Sequence, residues 1–213
     1  MNADTFSAYQ AASERRRIIG AAQALLLERG IEAVALADVA LALRMPVAAV
    51  ERHFPAGKPA LVQASLEAHM QDIHAQLLAQ RLDCGSAVEE LLAMRRLLLQ
   101  QIGDTRSLFM QELLTQYPTM DHRLRQLRAN FTLDYLQQNL RRGMQEGYYR
   151  ADLAVEAQAH EWLRQADALV GRARSAPELT EAYYQQFNGF LASVTTPLGA
   201  FVVKRLQEKP PYY

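Results

Sequence analysis

Apolar residues recur at helical spacing along nearly the whole chain, with no sustained alternation of the kind a half-buried strand needs. Ile18, Ala22, Leu25 and Leu26 fall at i, i+4, i+7 and i+8, one face of a helix that starts near Glu14. Gly30 ends it, as a glycine just past a helix end should. Leu36, Val39, Ala40 and Leu43 mark a short second helix, and Pro46 is placed for the first turn of a third. The stretch "FPAGK" breaks that helix, and Pro59 opens a fourth expected over 59–82. After Asp83-Cys84-Gly85, Ser86 and Glu89 have the spacing of a capping box for a helix over 86–102. Further helices are predicted over 108–116, 121–146, 154–173 and 178–207, with Pro197 and Gly199 kinking or loosening the last. Residues 1–13 are polar and read as a flexible N-terminus. The pattern predicts an all-α fold of about nine helices: three short ones first, then a larger helical domain.

Composition narrows the class. Half of the 213 residues are hydrophobic, enough for a sizeable core, and alanine and leucine dominate over β-branched residues. The formal net charge is zero, so no global field draws the chain to nucleic acid or to an anionic membrane. The single cysteine, Cys84, cannot form an intrachain disulfide and fits a reducing compartment. The N-terminus lacks the basic and apolar regions of a signal peptide. The most apolar windows, such as "VEELLAMRRLLLQQI", are broken by charge well short of the roughly 18 residues a membrane span needs. The expectation is a cytoplasmic protein with no membrane partner.

A short helix, a turn and a second short helix, braced by the helix before them, form the helix-turn-helix arrangement. Within "RMPVAAVERHF", residues 44–54, Val50 and Phe54 are four apart and face the core, which turns Val47, Ala48, Glu51 and Arg52 outward. The residues that carry a resemblance are "AAQALLLERG", "LADVALAL" and "VERHFPAGKPAL", with His53-Phe54, Gly57-Lys58 and Leu61 the most specific part. On these, residues 14–61 resemble the N-terminal domain of TetR-type transcriptional regulators. Downstream, "NLRRGMQEGYYRADL" and "FNGFLASVTTPLG" look like two later segments of the same family, so the resemblance extends loosely over the rest. It implies an all-α homodimer in which a ligand-binding domain moves two DNA-binding heads on a double-stranded operator. The organisation expected is a flexible 1–13, a head over 14–60, and a ligand-binding and dimerisation domain over 61–213.

The sequence departs from the family's pattern at several contact positions. Val34-Ala35-Leu36 offers no hydroxyl where the family has Ser or Thr at the start of the second helix, and Arg44 stands where the turn usually holds glycine. Pro46, Ala48 and Ala49 replace Ser, Gly and Thr, and Glu51 stands where a tyrosine normally meets the phosphate backbone. Between residues 14 and 58, seven cationic side chains face five acidic ones, a net charge of +2 and a weak basic footprint. The cations are nonetheless well spaced for a duplex: Arg15, Arg16 and Arg17, Arg44 in the turn, Arg52 on the reading face and Lys58 at the next helix start. Val47, Ala48 and Ala49 can pack on thymine methyls, and Arg52 can take guanine or a phosphate. Glu51 can accept from cytosine, hold Arg52, or form an ion pair within the head. The DNA-contacting set expected is Arg16, Arg17, Ala37, Arg44, Val47, Ala48, Ala49, Glu51, Arg52, His53 and Lys58.

In the larger domain, Phe109, Met110, Leu113, Tyr117, Phe131, Tyr135 and Trp162 are candidates for lining a small-molecule pocket between helices, with ordinary aromatic core the alternative for most. Few candidate buried charges accompany them, which favours an apolar or aromatic effector. Leu163, Ala166, Leu169, Val170, Tyr183, Phe187, Phe190, Leu191 and Val194 form stripes wide enough for core and partner together. The resemblance suggests a two-fold dimer contact there.

The residues carry no catalytic constellation. Val50, Leu66, Gln71, Thr119 and Ala157 precede the five histidines by three places, so no Glu-x-x-His pair exists, and Arg164 breaks any extension of His160-Glu161. Cys84 reads as a free thiol without a matched base. No cofactor or metal is expected, and the chain does not read as an enzyme. Two readings stay open: a ligand-responsive regulator, and a helical ligand- or lipid-binding module of the same fold that no longer binds DNA.

Overall fold

The computed structural model describes residues 3–100, 108–173 and 175–208. They form ten α-helices: α1 Ala3–Arg29, α2 Leu36–Ala42, α3 Val47–His53, α4 Lys58–Asp83, α5 Ala87–Gln100, α6 Leu108–Gln116, α7 Pro118–Gln145, α8 Val155–Arg172, α9 Ala176–Val194 and α10 Pro197–Glu208. The only extended pairing among the described residues is an isolated antiparallel bridge between Tyr149 and Thr195. None of these helices is long and apolar enough to cross a membrane.

Three boundaries differ from the periodicity. The segment expected to be flexible up to residue 13 is instead helical from Ala3, because "AYQAAS" has high helix propensity and no proline or glycine to stop it. Its side chains from Thr5 to Ser13 are exposed. The long helix expected at Asp121 begins at Pro118, which donates no hydrogen bond and is at home in a first turn. The last helix, expected over 178–207, is two: α9 stops at Val194 and Pro197 starts α10. The missing N–H of Pro197 breaks the ladder, so a kink becomes a chain break in the helix and the count rises to ten.

The chain divides into two compact units. The first takes residues up to Ile73 together with 104–125. In it α2 packs on α3, and α1 on both α2 and α6. Its core joins Ile18, Ala22, Leu26, Ile31, Val39, Val50, Phe54 and Val62 to Phe109, Leu113 and Leu124. The turn after α1 is fastened from α6. Gly30 takes a positive φ of 84°, and the Glu112 carboxylate accepts from the amides of Ile31 and, at 3.0 Å, Glu32.

The second unit takes residues 74–103 and 126–213. There α8 packs on α9, and α9 and α10 on α5. The capping expected for α5 is present in altered form: Ser86 Oγ accepts from Glu89 N–H at 3.2 Å, while the Glu89 carboxylate accepts from Gly85 N–H at 2.8 Å. The two later family-like segments lock together. Thr196 N–H donates to the Tyr148 carbonyl, Arg150 N–H to Val194, and Gly199 N–H to Thr196 Oγ1. The Tyr149 ring packs against Gly143, whose Cα carries no Cβ to obstruct it.

Candidate functional site

The helix-turn-helix is built from its turn outward. α2 ends with Leu43 as its cap, and Met45 N–H reaches back to the Ala40 carbonyl at 3.0 Å while Arg44 N–H reaches Leu41 at 3.1 Å. This double closure needs a left-handed residue between cap and exit, a place usually given to glycine. Arg44 fills it with φ of 53°, the one non-glycine residue with positive φ among those described. An L side chain there costs about 1 kcal/mol relative to glycine. Arg44→Gly is therefore expected to raise the thermal midpoint by roughly 2–4 °C in a calorimetric scan, and the same change would remove an exposed guanidinium from the turn.

Pro46 then sets the entry to α3. Ala49, Val50 and Phe54 turn inward, while Val47, Ala48, Glu51 and Arg52 are exposed. Ala49 corrects the expected reading set: at 7 % exposure it is core, because it sits one residue from Val50 on the side that packs toward α2. Leu41, which was not singled out from the sequence, is 77 % exposed at the end of α2. It extends the apolar character of Val47 and Ala48, and only its exposure reveals it, since a leucine in a short helix otherwise reads as core.

Among the cations, Arg16, Arg17, Arg44 and Arg52 are exposed and hold no ion pair among the described residues. Arg15 is engaged elsewhere, its guanidinium 5.0 Å above the Phe54 ring. Lys58 donates to the Glu32 carbonyl at 3.3 Å, which pins the start of α4 to the turn after α1. His53 turns toward α1, with Nε2 2.9 Å from the Glu14 carboxylate. That contact holds the Glu14 carboxyl below its usual pKa. Ala37 is exposed on α2, whose first turn is closed by the Asp38 carboxylate accepting from Ala35 N–H at 2.7 Å, in place of a hydroxyl. Glu51 is exposed and makes no ion pair among the described residues. The ion pair within the head, one of the expected roles for Glu51, does not form.

The residues expected to line a ligand pocket separate into two groups. Phe109 and Leu113 are buried in the core of the first unit, and Met110 and Tyr117 pack against that core. These four pack in or against the core of the head, because α6 folds back on α1, a pairing no local pattern announces. Phe131, Tyr135 and Trp162 lie in the second unit. Phe131 lies between His74 at 4.0 Å and Tyr135 at 6.1 Å, both ring pairs tilted, while Trp162 meets Phe187 edge-on at 5.4 Å.

Beside Tyr135 lies a buried charge cluster that contradicts the expectation of few buried charges. Glu90 on α5 is fully buried. Arg142 Nη1 on α7 is 3.1 Å from one carboxylate oxygen and Arg81 Nε on α4 is 3.3 Å from the other. Arg142 also bonds Glu146 at 2.7 Å and the Cys84 carbonyl at 3.2 Å. Burial and the Glu90 charge push the Tyr135 hydroxyl above its ordinary pKa. Burial, with Glu89 and Glu90 nearby, does the same to the Cys84 thiol, which is free. In sequence Glu90 sits beside the capping Glu89 and looks like a second solvated acid; its partners come from 9 and 52 residues away. Among the described residues no cluster of three His, Cys, Asp or Glu could hold a metal.

The dimer stripe also divides. Ala166, Phe187, Phe190, Leu191 and Val194 are buried within the chain, a correction for those five, because α8, α9 and α5 pack together and consume them. Leu163, Leu169 and Tyr183 are half-buried and Val170 is exposed. Tyr184 on α9 and Leu198 and Phe201 on α10 add exposed apolar surface.

Residues 18–65 match the family model described as bacterial regulatory proteins, tetR family. No curated protein matches the chain. Solved structures with the same fold include a TetR-family transcriptional regulator from Streptomyces coelicolor, 22 % identical over 86 % of this chain and 97 % of that one, with a TM-score of 0.64. SmeT, the repressor of the Stenotrophomonas maltophilia multidrug efflux pump SmeDEF, is 19 % identical over 86 % and 91 % of the two chains, with a TM-score of 0.60. A transcriptional regulator from Cytophaga hutchinsonii is 14 % identical over 84 % and 97 %, with a TM-score of 0.72. The N-terminal segment over residues 18–65 is thus similar to the DNA-binding part of bacterial regulatory proteins of the tetR family, and the chain shares the all-α fold of these regulators.

Proposed function

We propose that the chain is a ligand-responsive transcriptional repressor that binds a pseudo-palindromic, double-stranded operator as a homodimer and is released by a small effector. The head over 14–60 reads DNA, and the remainder from 61 onward binds effector and partner. The observation that carries this reading is the exposed surface of the helix-turn-helix. Arg44 and Arg52 flank Val47 and Ala48 without internal ion pairs, while the inward face of the same helices is fully used by the core. Arg44 occupies a strained position that glycine would fill at lower cost, which is understandable if the side chain is needed. Arg16, Arg17, Ala37 and Lys58 support phosphate contacts around that surface. His53 supports α3 through Glu14 and is positioned to orient the helix. Phe131, Tyr135 and Trp162 support the effector side, and Leu163, Leu169, Val170 and Tyr183 the two-fold contact.

Selection of bound duplexes from a random pool supplies the operator. Against it, Arg44→Ala combined with Arg52→Ala is expected to weaken binding on the order of 100-fold in a low-salt gel shift. Unchanged binding would remove this surface from consideration. Light scattering at micromolar concentration is expected to give a dimer of the 24.0 kDa chain; a clean monomer would sink the two-fold operator model.

A second reading, a ligand-binding module that no longer binds DNA, is favoured by one observation: Glu51 is exposed and unneutralised where phosphate would approach. Glu51→Gln separates the two. In a regulator it strengthens duplex binding about fivefold per head, from roughly 1 kcal/mol of repulsion between unit charges 4 Å apart in water. In a DNA-blind module it changes nothing.

A further inference from the structure

The helix-turn-helix is short of polar side chains. Residues 33–52 contain no Ser, Thr, Asn, Gln, His, Tyr, Trp or Lys. Their polar side chains are Asp38, Arg44, Glu51 and Arg52 alone, and Asp38 is engaged at the start of α2, where it accepts from Ala35 N–H at 2.7 Å. A recognition helix offers its N-terminal residues to base edges. In α3 these are Val47 and Ala48, the first two helical residues after the Pro46 cap. Val47 is 39 % exposed and Ala48 is exposed with it, while Ala49, Val50 and Phe54 take up the inward face. Glu51, one turn beyond Val47, is exposed and accepts hydrogen bonds without donating any.

This inventory restricts which base edges the helix can distinguish. Adenine is usually read by the paired donor and acceptor of Asn or Gln, and neither residue is present. Adenine N7 needs a donor, which Val47, Ala48 and Glu51 lack. Thymine differs from every other base in carrying a C5-methyl in the major groove, and a methyl asks only for an apolar neighbour. Resting on the DNA-binding reading above, we infer that Val47 and Ala48 read T·A pairs through the thymine C5-methyl and not through adenine N7. Arg44 and Arg52, exposed and without an ion pair among the described residues, are left for guanine or phosphate. Phosphate attraction by Arg16 and Arg17 is the same on every sequence, so discrimination at these T·A pairs comes from burial of the methyl.

The test uses the duplex selected from the random pool and the full chain in a low-salt gel shift. Each thymine of a half-site is replaced in turn by deoxyuridine, which lacks only the methyl. Each adenine is replaced by 7-deazaadenine, which lacks the N7 acceptor. At a contacted thymine, deoxyuridine is expected to weaken binding about fourfold per half-site, the effect of one methyl no longer withdrawn from water. At the paired adenine, 7-deazaadenine is expected to change nothing. In Val47→Ala and in Ala48→Gly the thymine-to-uridine ratio is expected to fall towards one at the position each residue reads. Should Ala48→Gly loosen α3, Val47→Ala and the modified duplexes carry the comparison. Indifference to deoxyuridine at every thymine, a loss that follows 7-deazaadenine instead, or a ratio that survives both substitutions overturns the methyl readout and leaves the repressor reading standing. A chain that retains no duplex at all overturns the repressor reading, and this readout with it.

Discussion

Gly199→Ala is expected to leave little folded protein. Gly199 is buried where the Thr195–Gly199 turn passes the chain at Tyr148, and an added Cβ would fall 2.9 Å from the Tyr148 carbonyl carbon and 3.3 Å from Thr195 Cβ. Backbone cannot swing aside as a flexible side chain can. The same place holds the Thr196–Tyr148 and Arg150–Val194 backbone bonds, so any shift breaks bonds as well as packing. A cost above roughly 4 kcal/mol is the exceptional class for one substitution, and it removes a large part of the 5–15 kcal/mol typical of a whole fold. Gly143→Ala belongs in the same class, since its Cβ would lie 2.7 Å from Tyr149 Cγ inside a buried ring contact. Gly20→Ala is the internal control: it is exposed in α1 with no atom within 4 Å of the added Cβ. It is expected to stabilise by about 0.5–1 kcal/mol. Thermal melts by circular dichroism separate the three, and a Gly199→Ala melt matching that of Gly20→Ala would refute the close approach.

Arg142→Met is the second large effect. Removing one partner of a buried ion pair strands the other, at a typical cost of about 3–5 kcal/mol. Here the substitution leaves Glu90 fully buried with only Arg81, and it also frees Glu146 and the Cys84 carbonyl. Replacing Glu90 with leucine in the same chain is expected to recover much of the loss, because no carboxylate then remains to be solvated. Chemical denaturation of the single and double variants gives the coupling between the two sites. Additive losses, with no recovery in the double variant, would mean that Arg142 acts chiefly through Glu146 and Cys84.

Both predictions turn on pairings at long sequence separation, and that is where sequence and structure divide. Apolar periodicity and the turn residues were sufficient to place α2 and α3 of the head and their main inward residues, Val39, Ala40, Val50 and Phe54, though not Ala49. The order of Gly30, Asp38-Val39-Ala40 and His53-Phe54 located the helix-turn-helix in the same way. The segments near 143–147 and 195–199 were visible as motifs, but that they clasp each other was not.

The sequence by itself determined that the chain is helical, where most helices begin and end, and that its N-terminal domain is of the TetR kind, since propensity, capping and local spacing act over a few residues. Tertiary structure alone decided which of those faces meet. Folding α6 onto α1 brought four expected ligand-lining residues into or against the core of the first unit, and packing of α8 and α9 on one another buried five residues of the expected dimer stripe within the chain. Bringing Arg81 and Arg142 to Glu90 made a buried charge site from three residues that each look solvated. Burial and electrostatic pairing depend on three-dimensional neighbours, and those neighbours are fixed only when the helices pack.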